Sequence, residues 1–408
     1  MKIVFVSFID STNLGDLLIA DILEEKLMNE HSVTKYSFNF VPDRFVIRRD
    51  TEIKRTRKKM KLKNFYNEYF RKIGIIDKLH SLRVIRNIEK NKYLTEFEES
   101  VKKCDFLVVG GGNAIFDLTR HSLSSYKFKK ILSIAKKYNK KSLITSIGIG
   151  PFITKKQLEY TINSLKDANF ITVRDQKSFN YIKPSLMEKV HLSIDPVFLL
   201  EKSSEVKGQR LEGKKVISLC ILDLSQNKDS VKKYNKYLQD LVEIILYLSE
   251  ENYKVNLFST EPRDYNAVYD VYEKVNAKSN VSVVNITNFK ELIDLYSVTD
   301  LVIGTRMHSM IIALSQFIPV IGLSWQDKVK EMFQMINSPE DVIDIDDIEN
   351  NMDTIKKLVS NKIKNKHHIT DNLVKLKNIN RKKFEINNQL FNELEIGIMK
   401  TKDSINGE

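Results

Sequence analysis

The chain has 408 residues, 42% hydrophobic and 29% charged, with a formal net charge of +13. This is enough for well-buried cores in roughly two or three domains. It contains no Cys/His finger and no aromatic RNP-like signature, so the positive charge does not read as nucleic-acid binding.

The first residues, MKIVFVSFIDSTNLGD, read as a strand near Ile3–Phe8 and a turn rather than a signal peptide. An amphipathic helix over Gly15–Asn29 follows. Asn13 and Gly15 permit a tight turn, and Asp16 falls at the helix start. There it serves either as a cap or as an acid aimed into a crevice. After a second strand near Val33–Phe38 comes a basic segment, with ten Lys/Arg against two acids between Arg44 and Lys63. Phe45, Phe65, Tyr66, Tyr69 and Phe70 lie within it or just beyond. The segment reads as a solvated surface helix or as a patch for an anionic partner, and the anionic inner face of a membrane is the partner expected.

Strands near Phe106–Val109, Ser142–Ile147, Phe170–Val173 and Val190–Ile194 complete the first half, with helices such as Ser125–Tyr138 between them. Three of these strands exit into glycine- or charge-bearing turns. Gly110, Gly111, Gly112 and Asn113 follow the first. Glycine there lets backbone N–H groups approach an anion, or lets neighbouring elements pack closely. Gly148 and Gly150, stopped by Pro151, follow the second. Arg174-Asp175, with Ser178 beyond, follows the third. Asp195-Pro196 closes this half, and Asp195 is placed either to meet a ligand or to pair with Arg174 as a structural salt bridge.

A polar stretch, residues 201–215, reads as a linker between a first domain (1–200, with a basic helical insertion at about 44–100) and a second (216–346). Strands near Val216–Cys220, Lys254–Phe258, Val281–Val284, Leu301–Ile303 and Val320–Gly322 alternate with helices in the second. Strands separated by helices throughout predict α/β architecture, with two Rossmann-like parallel-sheet domains facing a cleft. Residues 347–408 read as helix and a polar tail from Lys400. Cys104 and Cys220, with no CxxC spacing, read as reduced core residues of a cytosolic protein. The most apolar long window, residues 301–325, contains Arg306, His308 and Pro319, so it does not read as a membrane span.

Within that window, GTRMHS joins a strand to a helix whose Met307, Met310, Ile311 and Leu314 form one apolar stripe. Arg306 and His308 fall in the first turn, on opposite flanks of the stripe, where a helix attracts anions. An arginine fork suits phosphate or carboxylate, and a histidine beside a bound anion can donate a proton. The last strand exit carries Trp325 and Lys328, a stacking surface for a sugar and a further positive charge. No cluster has metal-ligand spacing, and no cofactor is expected.

Taken in order, NLGD, GGGN, SIGIGP, RD with Ser178, DP, TRMHS and WQDKV resemble the polysaccharide pyruvyl transferase family from residue 10 to about residue 335. The basic stretch Arg44–Lys90 matches no part of that pattern. The resemblance implies a two-domain fold similar to GT-B glycosyltransferases. It also implies transfer of pyruvate from phosphoenolpyruvate to a sugar of a cell-surface polysaccharide or its lipid-linked precursor. In that family the arginine and histidine of Arg-x-His are associated with the donor, here Arg306 and His308.

Set against this chemistry, His308 is the expected general acid and Asp16 the expected base. Arg306, Arg174, Lys328, Asn113 and the glycines at 110–112, 148 and 150 are expected around the donor. Asn13, Asp195 and Trp325 are expected toward the acceptor. Two other readings stay open: a GT-B-type glycosyltransferase whose Arg/His cluster meets a nucleotide diphosphate, and a non-catalytic member of a polysaccharide assembly complex.

Overall fold

The computed structural model describes residues 1–46, 74–117, 119–203, 213–226, 231–275 and 279–406. Most of the basic segment after Arg44, with Phe65, Tyr66, Tyr69 and Phe70, lies outside the described residues, as do residues 204–212 of the expected linker.

The first half alternates β1 (Lys2–Ser7), α1 (Leu14–Met28), β2 (Ser32–Ser37), α2 (Gly74–Glu89), α3 (Leu94–Lys103), β3 (Phe106–Gly110), β4 (Asn113–Ile115), α4 (Tyr126–Lys137), β5 (Lys141–Ile149), α5 (Lys155–Leu165), β6 (Phe170–Val173), α6 (Gln176–Leu186) and β7 (Val190–Leu192). Its sheet runs in the order β2-β1-β3-β5-β6-β7, with β4 added beside β5, and every pair is parallel. The second half alternates β8 (Val216–Cys220), α7 (Val231–Glu250), β9 (Lys254–Phe258), α8 (Tyr265–Lys274), β10 (Val281–Val283), α9 (Phe289–Val298), β11 (Leu301–Gly304), α10 (Met307–Ser315), β12 (Val320–Ser324), α11 (Asp327–Met335) and β13 (Val342–Asp344). Its parallel order is β10-β9-β8-β11-β12-β13. The helices α12 (Met352–Lys364) and α13 (Lys366–Asn406) follow. The strands read as near-continuous apolar runs because both faces of each sheet are covered; β3, β8, β11 and β12 are buried at every position.

Both orders reverse once, between β1 and β3 and between β8 and β11. Ligands of open α/β sheets bind outside the carboxyl ends of the strands at such points. The turns after β1 and β11 meet across the cleft there, where Gly15 backs onto His308.

Three elements differ from expectation. β5 breaks register at Ser146, which sits at φ 50°, and its last residues turn away to pair with β4 (Asn113 with Gly148, Ile115 with Ile149). The stretch after the three glycines is thus a short strand rather than a loop. β7 stops at Leu192 because Asp195 and Pro196 open a single 3₁₀ turn, Pro196–Leu199. At the chain's end, the expected polar tail is helical through Asn406.

That 3₁₀ turn and α13 join the two halves. Val197, Phe198 and Leu199 are buried against α1, α10 and α13 in one continuous core. The 41 residues of α13 run back onto the first sheet, where Asn387 is fully buried. Its Oδ1 accepts from Thr145 Oγ1 (2.8 Å) and Thr172 Oγ1 (2.5 Å), and its Nδ2 donates to Ser193 Oγ (2.6 Å). Asn387→Ala strips these buried hydroxyls of their partner and is expected to cost about 2–3 kcal/mol. Denaturant unfolding checks this, and a loss below about 0.5 kcal/mol contradicts the role given to this side chain.

Candidate functional site

The site starts at the end of β11. Thr305 donates its N–H (3.1 Å) and its hydroxyl (2.8 Å) to Cys220 O, pinning this exit to the end of β8. Gly304 is required because a Cβ there would lie 2.6 Å from Met310 Cγ. Arg306 is extended (φ −94°, ψ 118°) and forms the N-cap position, so α10 begins at Met307 and buries all nine of its residues. Met307, Met310, Ile311 and Leu314 are in the core, as the stripe predicts.

His308 is 8% exposed and reaches across to the first domain. Its Nε2 lies 3.3 Å from Asp195 Oδ2 and 3.5 Å from Arg174 Nη1, and its Nδ1 lies 3.9 Å from Asp16 Oδ1. Arg174 Nη1 donates to the same Asp195 oxygen at 2.6 Å, while Asp195 Oδ1 accepts from Val197 N–H at 3.1 Å. Burial pushes the Asp195 carboxyl upward, but Arg174 and His308 outweigh it and hold the group well below the usual carboxylate range. With Asp195 ionised, Nε2 is the imidazole nitrogen that carries hydrogen toward it, leaving Nδ1 facing Asp16.

Two glycines make this meeting possible. A Cβ on Gly15 would fall 2.3 Å from the His308 imidazole, so the first turn of α1 backs directly onto the ring. A Cβ on Gly148 would fall 2.8 Å from Asn113 Oδ1 and 3.0 Å from Arg174 Nε. Gly15 is helical, so its role is this close approach rather than the turn expected from sequence. The cap of α1 is Asn13, whose Oδ1 accepts from Gly15 N–H at 2.9 Å. Asp16 sits in the first turn and accepts weakly from Ser11 Oγ at 3.4 Å.

Other expected residues have different surroundings. Asp195 is saturated and 2% exposed, so it positions Arg174 and His308 and presents nothing to an acceptor. Arg306 donates Nε to Asp264 Oδ2 at 2.7 Å, and its Nη2 lies 2.6 Å from the same oxygen. Burial disfavours the charge of Arg306, yet Asp264 and Glu261 more than offset this and raise its pKa. Gly110 and Gly111 serve packing: Cβ atoms there would meet Leu23 (2.7 Å) and Ile19 (1.9 Å). The Gly111 N–H is also taken by Thr145 O at 2.9 Å, so the triple glycine is not an open anion cradle. Gly112 carries a positive φ of 75° and approaches Phe8 and Asp16. Gly150, at φ 94°, backs onto Tyr181. Trp325 packs partly on the second-domain core.

Lys328 stands apart. Burial and Arg174 pull its ammonium down to about 8, and among the described residues no carboxylate lies within ion-pair distance of it. It lines an interdomain crevice of about 210 Å³ together with Asn113, Gly150, Arg174, Lys177 and Gln326. Lys177 closes the rim by pairing with Asp327 (2.9 Å) and Glu331 (3.2 Å) of the second domain.

Sequence reading missed the exit of β9, Ser259-Thr-Glu-Pro-Arg-Asp264. Asp264 is wholly buried and accepts from Ser259 Oγ, Asp223 N–H and Arg306, tying the exits of β8, β9 and β11 together. Glu261 accepts from Thr12 Oγ1 at 2.6 Å across the cleft, and Leu14 N–H donates to Thr260 O at 3.2 Å. The strand-exit rule that singled out the other turns applies equally to this one.

Solved structures with this arrangement include sucrose-phosphate synthase from Thermosynechococcus elongatus (10% identical, 97% of this chain and 100% of that one, TM-score 0.59). A putative UDP-N-acetylglucosamine 2-epimerase from Listeria monocytogenes is similar (10% identical, 91% and 90% covered, TM-score 0.54). At such identities the likeness concerns the fold, which is that of GT-B glycosyltransferases and epimerases. A model of the polysaccharide pyruvyl transferase family matches residues 13–327, and the chain belongs to that family. The amylovoran biosynthesis protein AmsJ of Erwinia amylovora is 22% identical over 284 residues, which are 64% of this chain and 66% of that protein. The chain thus spans just under two thirds of the length of this relative. Among the described residues no group of His, Cys, Asp or Glu has the arrangement of a metal site, and no helix is long and apolar enough to cross a membrane.

The contact of Gly15 with His308 has a measurable sign. In an unencumbered helix, Gly→Ala stabilises by roughly 0.5–1 kcal/mol. Here the added methyl overlaps the imidazole, so Gly15→Ala is expected to destabilise by about 1–3 kcal/mol. Adding His308→Ala is expected to remove most of that loss in a double-mutant cycle. Equal effects of Gly15→Ala in both backgrounds contradict the packing described.

Proposed function

We propose that this protein transfers pyruvate from phosphoenolpyruvate to two hydroxyls of one sugar, as a ketal, on a surface polysaccharide or its lipid-linked precursor. The observation that carries this reading is the cluster at the domain boundary. His308 from the second domain faces Asp195, Arg174 and Asp16 of the first, and Lys328 stands nearby with no carboxylate in ion-pair contact among the described residues. Phosphoenolpyruvate brings a phosphate and a carboxylate on one small carbon frame, and the crevice offers it Arg174 and Lys328, while the carboxylates Asp327 and Glu331 on its wall are taken by Lys177 and Asp175 caps the helix after β6. Family membership and the name of the Erwinia relative support a polysaccharide as acceptor.

In the proposed reaction, His308 gives a proton to the methylene carbon, which becomes the methyl group, and C2 becomes electrophilic. A sugar hydroxyl attacks C2 as Asp16 takes its proton. The bond from C2 to the phosphate oxygen then breaks, and a second hydroxyl of the same sugar closes the ketal. Of the two hydroxyl protons, one replaces that given by His308 and the other leaves with inorganic phosphate. Arg174 and Lys328 hold the donor's negative charge in a water-poor site. Arg306 is engaged by Asp264, so its contribution is to hold the start of α10 and to bias the local potential. The reaction is placed in the cytoplasm, where the donor is available.

Incubation with phosphoenolpyruvate and a panel of lipid-linked and synthetic hexoside acceptors is expected to release phosphate with a pyruvate-sized mass gain on the sugar. His308→Ala is expected to lower turnover by about 10²–10⁴-fold with the fold intact. Turnover of a nucleotide sugar, without any phosphate release from phosphoenolpyruvate, supports the glycosyltransferase reading instead.

Lys328 also gives donor binding a pH dependence. The ammonium is charged below about 8, and a bound anion favours the charged form, so binding takes up a proton above that pH. Calorimetric affinity for phosphoenolpyruvate is expected to fall as pH rises through this value, and Lys328→Met is expected to flatten that limb while weakening binding. An unchanged limb in Lys328→Met assigns the titration to another group.

A further inference from the structure

The helix α2 carries an apolar stripe that is exposed among the described residues. Ile75, Leu79 and Leu82 are 73%, 60% and 53% exposed and follow i, i+4, i+7 spacing on one face. Exposed Lys78, Arg83 and Arg86 border the stripe, and Lys90 extends it. The opposite face is held down: Asp77 Oδ2 accepts from His121 N–H at 3.1 Å, and Ile88 enters the core. Glu89, the acid nearest the basic border, is engaged by Lys130 (2.7 Å) and Tyr126. An exposed row of large aliphatic side chains between cations, on a helix fixed from behind, has the pattern of a helix lying in a membrane interface.

Its position relative to the crevice adds a second observation. A run of hydrogen bonds leads from α2 to the cleft: Asp77 to His121, Gln157 to the carbonyls of Thr119 and Ser122, and Asp117 N–H to Pro151 O beside Gly150. Two more exposed apolar side chains, Phe116 (38%) and Ile153 (50%), lie along this run. Phe116 precedes Asp117 and Ile153 follows Pro151, so both stand in the segments that link α2 to the crevice wall.

We propose that α2, with Phe116 and Ile153, is a docking surface for an anionic lipid bilayer and sets the crevice mouth at the height of the headgroups. Apolar side chains enter the interface, and Lys78, Arg83 and Arg86 meet anionic headgroups. Neither force alone gives firm attachment; together they give reversible, salt-sensitive binding. The inference concerns where the enzyme works and does not depend on which donor it uses.

Co-sedimentation of the full chain with phosphatidylglycerol/phosphatidylcholine vesicles, and with phosphatidylcholine alone, tests it. The chain is expected to partition onto the anionic vesicles at low salt and to be released at high salt. Leu79→Asp/Leu82→Asp and Lys78→Glu/Arg83→Glu/Arg86→Glu are each expected to weaken partitioning by at least about tenfold, with thermal unfolding unchanged because all five side chains are exposed. Three results overturn the proposal. One is equal or absent binding to both vesicle types. Another is wild-type partitioning by both variants. The third is a dimer in sedimentation velocity that Leu79→Asp/Leu82→Asp dissociates, which makes the stripe an interface between copies. Vesicle binding is read without turnover, so its failure leaves the pyruvyl transfer assay standing, and the reverse.

Discussion

The Asp195 carboxylate lies between two nitrogen-bearing side chains from different domains: Arg174, from the end of β6, and His308, from the start of α10. All three are nearly inaccessible to water. Such a buried group is a poor source of net stability, since desolvation consumes much of the Coulomb gain. Removing Arg174 nevertheless leaves an uncompensated charge and costs several kcal/mol, of order 3–5. Domain closure and site assembly are therefore one event here. If the second domain swings away, Asp195 loses one hydrogen-bond donor and His308 loses its orientation. The apolar 3₁₀ turn immediately after Asp195, packed on α1, α10 and α13, fixes where that carboxylate stands.

Much of this was legible in the sequence because parallel sheets announce themselves. Strands covered on both faces read as unbroken apolar runs, and their exits carry the residues that meet in the cleft. GTRMHS, RD and DP thus pointed to a common site before any geometry was available. What remained hidden was partner choice. Arg174 and Asp195 are separated by two elements, and no local pattern states that Arg306 belongs to Asp264 rather than to a ligand. Glycine was ambiguous for the same reason. Gly110–Gly112 and Gly148 look alike in sequence, but the first group yields to Leu23 and Ile19, whereas Gly148 yields to Arg174 and Asn113. Gly15 looked like a turn residue and proved to be the floor beneath an imidazole. Asn387, some 240 residues from the threonine it holds, had no signal beyond being a polar residue on a helix.

The charges around the cleft form two classes. Arg306 is held by Asp264 and Glu261 and braces the second sheet's exits, whereas Lys328 faces the crevice with no carboxylate of the described residues in ion-pair contact, only the more distant Asp16 and Asp195. A braced cation shapes the potential, and an unbalanced one waits for an anion. On the proposed reading this separates the two basic residues of the site. The family's Arg-x-His motif would hold the helix start and supply the proton, while Lys328, with Arg174 beside it on the crevice wall although paired with Asp195, would carry the donor.

The most direct test of that division is a crystal structure of the protein with phosphoenolpyruvate. The account predicts the ligand in the interdomain crevice, its anionic groups on Arg174 and Lys328, its methylene carbon toward the His308 imidazole, and Arg306 still bound to Asp264. A ligand held instead by Arg306 released from Asp264, or bound away from His308, contradicts it.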